Sequence, residues 1–553
     1  MSVDTKNPLI IQSDRAILLE VDNPRYEAAR DALVSFAELE KSPEHIHTYR
    51  ITPLSIWNAC AAGHSAESIV GTLVLFSKYP PPEHVLSEVN DFASRYGRLK
   101  LERDAEGLVL FSDDVALCEE LVHHEKLLSM LDRLSLTRFR VAPVDRGRLK
   151  QALIKFGYPV DDCAGYSDGE SLSVSLRKQM CSGGVFSVRA YQEESAAAFH
   201  AAGSGVIVLP CGAGKTIVGM SCIQKLQTST LILATNITAV RQWISEILDK
   251  TTLHEDQVGE YSGRRKEIRP VTVTTYQIMT HRNSAKDDFT HLELFDQRDW
   301  GLIIYDEVHM LPAPIFSVTS TIQARRRLGL TATLVREDGR EDDVFALIGP
   351  KRYDMPWKLL EQQGWIAKAR CEEIRVTMDS ALRMEYALAN KRRKFRIASE
   401  NPRKFQLVRE LIRRHSHDRI LILGMYLDQL KSLAKEFDIP VLTGSTSQVR
   451  RDAFFSAFRA GECKVLACSK IANFSVDLPD ASVAIQISGT FGSRQEEAQR
   501  LGRILRPKSG DNQAHFYSLV SHETVEQDFA MNRQLFLCEQ GYEYHISHDE
   551  VMK

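Results

Sequence analysis

The run Val206-Ile-Val-Leu-Pro-Cys-Gly-Ala-Gly-Lys-Thr216 limits what this chain can fold into more than any other stretch. Its short apolar start suits a strand buried on both faces of a parallel sheet. A glycine-rich loop follows, and a helix is expected from Lys215. Gly212 and Gly214 let backbone N–H groups wrap phosphate oxygens, and the helix N-terminus adds the positive end of its dipole. Lys215 would reach the β- and γ-phosphates of ATP, and Thr216 would ligate Mg²⁺. One position departs from the phosphate-loop pattern G-x-x-x-x-G-K-[ST]: Leu209 stands where the first glycine belongs. A glycine-rich turn beside a surface lysine is the plainer alternative, and the strand–loop–helix context argues against it.

A second motif lies downstream in Gly301-Leu-Ile-Ile-Tyr-Asp-Glu-Val-His309, an apolar strand ending in two carboxylates. Asp306 can hold Mg²⁺ directly or through water, and Glu307 can polarise an attacking water. An Asp-Glu pair on a solvated turn is common. It is a poorer account of a pair that ends a buried strand after a phosphate loop. The two motifs together indicate an ATPase.

Further apolar runs alternate with helical stretches: Leu231-Ile-Leu-Ala, Val271-Thr-Val-Thr and Arg327-Leu-Gly-Leu, then Ile420-Leu-Ile-Leu, Val465-Leu-Ala and Val483-Ala-Ile-Gln-Ile. This gives two α/β units, with boundaries expected at 185–350 and 351–553. Residues 1–184 read differently. Leu9 to Val21 suggests two short strands around a Ser-Asp turn, Tyr26 to Leu39 a helix, and Pro53 to Gly63 a helix closed by glycine. Gly165 to Gly184 is rich in Ser and Gly and reads as a linker. This third carries no catalytic constellation and suits a binding or scaffolding module. The expected fold class is α/β, with a mixed α+β N-terminal region before the two units.

Composition excludes several classes. At 553 residues, 43% hydrophobic and 26% charged, the chain is neither disordered nor of low complexity. No apolar run reaches the ~18 residues of a membrane helix. The start Met-Ser-Val-Asp-Thr-Lys-Asn has no signal-peptide character, so a cytoplasmic location is expected. None of the ten cysteines sits in a Cys-x-x-Cys pair, so no cysteine-bound metal is expected. The net charge of −3 leaves nucleic-acid binding to local clusters. Between Ala381 and Ile420 there are twelve Lys/Arg against four Asp/Glu, densest at Lys391-Arg-Arg-Lys-Phe-Arg396. Such a cluster neutralises phosphates without reading sequence. Arg325-Arg-Arg327 and Arg264-Arg-Lys266 are weaker candidates, and for each cluster a solvated basic face is an even alternative.

Asp306-Glu-Val-His309, Leu330-Thr-Ala-Thr333 and Gln499-Arg-Leu-Gly-Arg-Ile-Leu-Arg506 together resemble superfamily-two helicases. The finer resemblance is to the XPB family. It rests on Arg336-Glu-Asp338 and on Phe491-Gly-Ser-Arg-Gln-Glu-Glu-Ala-Gln-Arg-Leu-Gly-Arg-Ile-Leu-Arg-Pro-Lys508, and covers about residues 186–510.

The resemblance implies two tandem RecA-like motors and an ATP-dependent 3′-to-5′ DNA helicase or translocase acting in repair. It makes Arg189 and Gln192 the adenine readers, Arg503 and Arg506 arginine fingers, and Asp477 and Gln499 further residues of the nucleotide site. His309, Thr331 and Thr333 would couple hydrolysis to movement. Asn236, Arg241, Thr274, Thr275, Tyr276, the Arg336-Glu337-Asp338 triplet, and Lys391, Arg392, Arg393 and Lys394 in a thumb-like insertion near 378–400 would contact DNA. Phe395 or Tyr276 could stack on a base, though each is more often a core aromatic. The N-terminal region resembles a damage-recognition region. The family often works with partners, a nuclease among them in some lineages. An RNA helicase, a duplex translocase that does not separate strands, and a non-catalytic DNA-binding scaffold stand as rivals.

Overall fold

A computed structural model describes residues 6–41, 45–281, 291–295, 297–312, 315, 319, 322, 325–332, 341–469, 481–489, 494–502, 504–505 and 512–549. Packing divides the chain into two compact units. One is Met1–Glu38, Thr48–Leu209 and Gly214–Met355; the other is Leu39–His47, Pro210–Ala213 and Pro356–Lys553.

The first unit is built on a seven-stranded sheet: β1 (Ser204–Val208), β2 (Thr230–Ala234), β3 (Val258–Tyr261), β4 (Val271–Thr275), β5 (Leu302–Asp306), β6 (Arg326–Thr331) and β7 (Lys351–Asp354). The order across the sheet is β3-β4-β2-β5-β6-β1-β7, and every pairing is parallel. The β1, β2 and β4 strands are buried along their whole length, as strands covered on both faces must be. Three helices matter for the site: α1 (Ala190–Ala202), α2 (Lys215–Leu226) and α3 (Ile237–Lys250).

Apart from Leu39–His47, the N-terminal region belongs to the same unit. Strands Leu9–Ile11 and Ala16–Glu20 pair antiparallel around a turn, as expected. The helix expected over Tyr26–Leu39 stops at Leu33, and Glu38–Lys41 is a strand. Helix Pro53–Ala61 forms with Thr52 as its cap, and Gly63 has φ of 98°. A five-stranded sheet runs Asp132–Arg133, Arg138–Val141, Gly107–Phe111, Leu99–Asp104, Val160–Asp162, over a core that includes Leu101, Leu110, Phe139 and Leu153.

This region is welded to the first sheet. Trp57 and Ile154 lie in one apolar cluster with Val206, Ile303 and Phe345. The Lys351 backbone N–H donates to Asn58 Oδ1 at 3.1 Å, and Gln151 Nε2 donates to Asp343 at 2.8 Å. The Ser/Gly-rich segment after Gly165 is not a detached linker. Its backbone donates to the Gln227 carbonyl from Leu172 and to the Lys250 carbonyl from Arg177. The boundary expected at 350/351 is also corrected: Lys351–Asp354 pairs with β1 and closes the first sheet. As a half-buried edge strand it tolerates polar residues, which hid it from an apolar-run reading.

The second unit repeats the architecture: β8 (Lys368–Val376), β9 (Ile420–Leu423), β10 (Val441–Leu442), β11 (Val465–Cys468), β12 (Val483–Gln486), β13 (Gln513–Ser521) and β14 (Tyr544–His548). Their order is β10-β11-β9-β12-β13-β8-β14, all parallel. Counted along the chain, both sheets have strand order 3-4-2-5-6-1-7. These are the two tandem motor domains expected. After β8 come α4 (Ser380–Leu388) and α5 (Lys391–Ser399), then α6 (Arg403–Arg414); α7 (Arg494–Gly502) and α8 (Val525–Glu539) follow later.

Among the described residues no single helix is long and apolar enough to cross a membrane; the bent pair Pro53–Ala61 and Ala66–Phe76 passes only by length and composition.

Candidate ATP site and nucleic-acid contacts

The site of the first motor stands at the carboxyl ends of β1, β5 and β6, where open α/β sheets bind ligands. After Val208 the chain turns through the glycine-rich loop. Gly212 and Gly214 both have φ of 82°, a left-handed conformation that other residues adopt at a cost. Gly214 caps α2 and places Lys215 and Thr216 in its first turn. Side-chain room is also lacking there: a Cβ on Gly214 would lie 2.5 Å from Gln192 Nε2. Gln192 is thus held under the loop in the first turn of α1. Its Oε1 accepts from the Arg189 backbone N–H at 3.0 Å, and the Arg189 guanidinium donates to the Tyr191 hydroxyl at 3.1 Å.

Lys215 Nζ lies 3.0 Å from Glu307 Oε1, with the two side chains 13% and 16% exposed. Glu307 itself has φ of 50°, unusual for a non-glycine residue and a form of strain that clusters at functional sites. Its other carboxylate oxygen is 3.5 Å from His309 Nδ1, and that nitrogen is 2.8 Å from the Thr331 hydroxyl at the end of β6. Burial works to raise the Glu307 carboxyl, but Lys215 and His309 outweigh it and hold the group below its ordinary value. Asp306 goes the other way. Burial first, then the charge of Glu307, pushes its carboxyl up to about 6, against the lowering pull of Trp243 and Lys215. The Trp243 indole N–H donates to Asp306 Oδ2 at 3.0 Å, and the Tyr276 hydroxyl donates to the Asp306 backbone carbonyl at 2.9 Å.

Two adjacent half-buried carboxylates beside one lysine leave a local negative charge that a divalent cation would relieve. Asp306, with Thr216 at the start of α2, therefore fits Mg²⁺.

The structure brings together Lys215, Glu307, His309 and Thr331 by direct contact, with Asp306 adjacent in the chain and Gln192 under the loop. Gln499 is buried on α7. Thr333, Arg336, Glu337, Asp338, Asp477, Arg503 and Arg506 lie outside the described residues.

The expected nucleic-acid residues divide. Asn236 caps α3, its Oδ1 accepting from the Ala239 N–H, and Arg241 is 56% exposed on that helix. Lys391, Arg392 and Arg393 are exposed on α5, while Lys394 is half-buried over the Tyr386 ring. Three expectations are corrected. Thr274 is wholly buried in β4, Tyr276 is buried with its hydroxyl committed to Asp306, and the Thr275 hydroxyl caps the turn at Ile278. None of the three presents a hydroxyl to a strand in this conformation. Phe395 packs edge-on against Phe529 and offers no stacking face to a base. Of Arg325-Arg-Arg327, Arg327 is fully buried and donates to the Leu347 carbonyl, and Arg325 donates to the carbonyls of Arg298 and Trp300. Trp243 escaped the sequence reading. Its one signal there was a tryptophan two positions after the exposed arginine of an amphipathic helix.

Comparison with known proteins agrees with this geometry. The ERCC3/RAD25/XPB C-terminal helicase model matches residues 360–552, a type III restriction enzyme res-subunit model matches 185–336, and a helicase conserved C-terminal domain model matches 9–135. The chain is 54% identical over 544 residues to the DNA 3′-5′ helicase XPB of Mycobacterium tuberculosis, covering 98% of each. It is equally identical to that of Kineococcus radiotolerans, covering 98% of this chain and 96% of the relative. The general transcription and DNA repair factor IIH helicase/translocase subunit XPB/SSL2 of Saccharomyces cerevisiae is 32% identical, over 97% of this chain and 71% of the yeast protein. With similarity of that extent along nearly its whole length, the chain belongs to the XPB family of superfamily-two DNA helicases.

Proposed function

We propose that this protein is an ATP-driven 3′-to-5′ DNA helicase or translocase that opens duplex DNA during repair. The observation that carries this reading is the Lys215–Glu307 pair, joined to Asp306 at the end of β5 and to Thr331 through His309.

Lys215 and the loop N–H groups bind the β- and γ-phosphates; in doing so Lys215 exchanges Glu307 for phosphate oxygens. Asp306 and Thr216 would hold Mg²⁺, which would supply charge neutralisation at the phosphates. Glu307, released from Lys215, orients the attacking water and takes its proton. His309 sits between Glu307 and Thr331, so a change at the carboxylate reaches the segment after β6. Gln192 and Arg189 form the adenine side of the site. Arg503 and Arg506 supply finger charge, and Asp477 and Gln499 complete the nucleotide contacts of the second motor. Asn236, Arg241 and the α5 cluster hold phosphates of the tracked strand, and the Arg336-Glu337-Asp338 triplet acts in duplex opening. The N-terminal region, through residue 184, tests duplex distortion. A cytoplasmic protein that shares DNA with a nuclease or another repair protein is the setting this implies.

A second reading, translocation on duplex without strand separation, is favoured by the word translocase in the names of the eukaryotic relatives.

The test is steady-state ATP hydrolysis with no nucleic acid, with forked DNA and with matched RNA, beside Lys215→Ala. Stimulation by DNA that the variant abolishes is expected. Stimulation by RNA alone would overturn the substrate. Strand displacement against triplex displacement then separates helicase from translocase.

A further inference from the structure

Asp306 is gripped from two sides, and one grip comes from a helix whose other face is turned to solvent. Trp243 is 2% exposed on α3. Its indole N–H reaches Asp306 Oδ2 at 3.0 Å, and its ring lies so close to α2 that a Cβ on Gly219 would stand 2.5 Å from Cη2. Gly219 is one turn beyond Lys215, so the indole touches both the phosphate-loop helix and the carboxylate proposed to hold Mg²⁺. Arg241 stands two residues before Trp243, about 200° around a helix. Its side chain is more than half exposed. Asn236 begins the same helix. The α3 helix therefore carries the exposed Arg241 guanidinium, with the Glu260 carboxylate 4.0 Å away, on one side and the indole on the other. The inner face of the helix is packed: Val240, Trp243 and Ile247 are buried and repeat at helical spacing.

We propose that Trp243 is a positioning residue. It orients the Asp306 carboxylate for Mg²⁺ and makes α3 the lever through which a bound DNA strand reaches the ATP site. This rests on the proposed function, because it takes the exposed face of α3 to meet DNA. The carboxylate has two oxygens, and the torsion about its Cβ–Cγ bond sets where they point. The indole bond and the contact with α2 fix that torsion, so a small shift of α3 re-aims Oδ2. Groups that orient a metal ligand in this way are typically worth 10- to 100-fold in metal affinity.

The test uses the full chain and Trp243→Phe, which keeps a ring against Gly219 and removes the donor. Two quantities are read that packing alone does not set. One is the Mg²⁺ concentration giving half-maximal binding of a fluorescent, non-hydrolysable ATP analogue. The other is the factor by which forked DNA lowers that concentration. Linkage requires DNA affinity to rise by the same factor when Mg²⁺ and the analogue are present. In Trp243→Phe the Mg²⁺ requirement rises about 10-fold, and the DNA-dependent factor collapses toward one, while DNA affinity without nucleotide is unchanged.

Wild-type values of both quantities in the variant would overturn the proposal. If Trp243→Phe melts well below the parent, Arg241→Ala takes its place. That variant keeps the indole bond, and the proposal requires it to retain the Mg²⁺ requirement while losing the DNA-dependent factor; retention of both overturns it. Absence of DNA stimulation in the parent protein itself would instead refute the function on which this inference rests.

Discussion

The two motor sheets share strand order 3-4-2-5-6-1-7, and each holds a Lys–Glu pair whose lysine lies on a helix between strands one and two. In the first, Lys215 opens the helix between strands one and two, and Glu307 follows strand five. In the second, Lys404 lies on α6, the last helix between strands one and two. Its partner Glu526 stands just after strand six. Lys404 donates to both Glu526 oxygens, at 2.9 and 2.8 Å, and to the Ile487 carbonyl just past strand five at 3.0 Å. Both side chains are wholly inaccessible, and the Ser521 backbone N–H fills a further acceptor site on Glu526. The Lys215–Glu307 pair keeps some exposure on both partners and a strained Glu307 backbone.

The difference shows how one scaffold serves two ends. A buried pair in which all three ammonium protons find acceptors is fixed: burial pulls the Lys404 ammonium down, Glu526 holds it up, and no ligand can reach either. A pair left partly open, beside a second carboxylate, can trade its lysine for phosphate. The first sheet is built to react, and the second to stay rigid.

Swapping the same substitution between the two pairs gives the sharpest separation. Glu307→Gln removes the group proposed to take the proton from water. ATP hydrolysis should fall about 10²–10⁴-fold with nucleotide binding kept and the melting temperature nearly unchanged. Glu526→Gln should do the reverse. Leaving Lys404 buried without its counter-charge costs about 3–5 kcal/mol, read as a lower denaturant midpoint for the second motor. Replacing both partners, as Lys404→Met with Glu526→Leu, should recover most of that loss. A loss of stability in Glu307→Gln equal to that in Glu526→Gln would erase the distinction between the two sites.

A smaller effect is expected where the second sheet departs from the first. After its first strand it inserts the α4–α5 hairpin instead of a phosphate loop. This hairpin is tethered by the Val525 backbone N–H, which donates to the Tyr386 hydroxyl at 2.8 Å, and by an Arg383–Glu523 ion pair. Its outer rim carries Lys391, Arg392 and Arg393. Alanine at all three should weaken DNA binding alike for every sequence. The slope of log affinity against log salt should become shallower by about 0.9 for each phosphate that the variant no longer neutralises. Hydrolysis without DNA should not change. An unchanged salt slope would show the rim to be an ordinary solvated face.

How legible each region was in the sequence follows the same division. Lys215, Asp306 and Glu307 were readable because backbone geometry dictates their spacing: strand, glycine turn, helix, then a strand ending in carboxylates. The two-motor fold was readable from apolar runs. The runs missed β3, the short Val-Gly-Glu-Tyr, and β7, whose Lys-Arg-Tyr-Asp sits half-buried on an edge, and four of the seven strands in the second sheet. Lys404 was invisible as one cation among twelve, since charge alone does not say which lysine is enclosed. Arg327 was misread for that reason, and Thr274 and Tyr276 because a hydroxyl can equally face a phosphate or the core. Burial depends on partners far away in sequence, which no local pattern encodes.

A third pair lies between the two extremes. Lys150 Nζ is 3.0 Å from Asp162, which also takes two bonds from Arg146, and the three side chains are nearly buried in the N-terminal region. Arg327 reaches the same neighbourhood over the Tyr166 ring, so several cations share one carboxylate. Burial, with Arg327 and Arg146 repelling, brings the Lys150 ammonium down to about 8 against the pull of Asp162. The unfolded lysine keeps its proton to about 10.4. Between those values the unfolded chain holds more protons than the folded one, so this group makes stability rise with pH there. Below about 8 the cost of burying the charge is constant. Lys150→Met keeps Asp162 paired to Arg146 and removes the titration. The variant should therefore equal or exceed the parent in melting temperature at pH 7. The parent should regain about a degree or two relative to it by pH 9.5. A difference between the two proteins that does not change with pH would mean that Lys150 stays charged throughout, as a fixed pair like Lys404–Glu526.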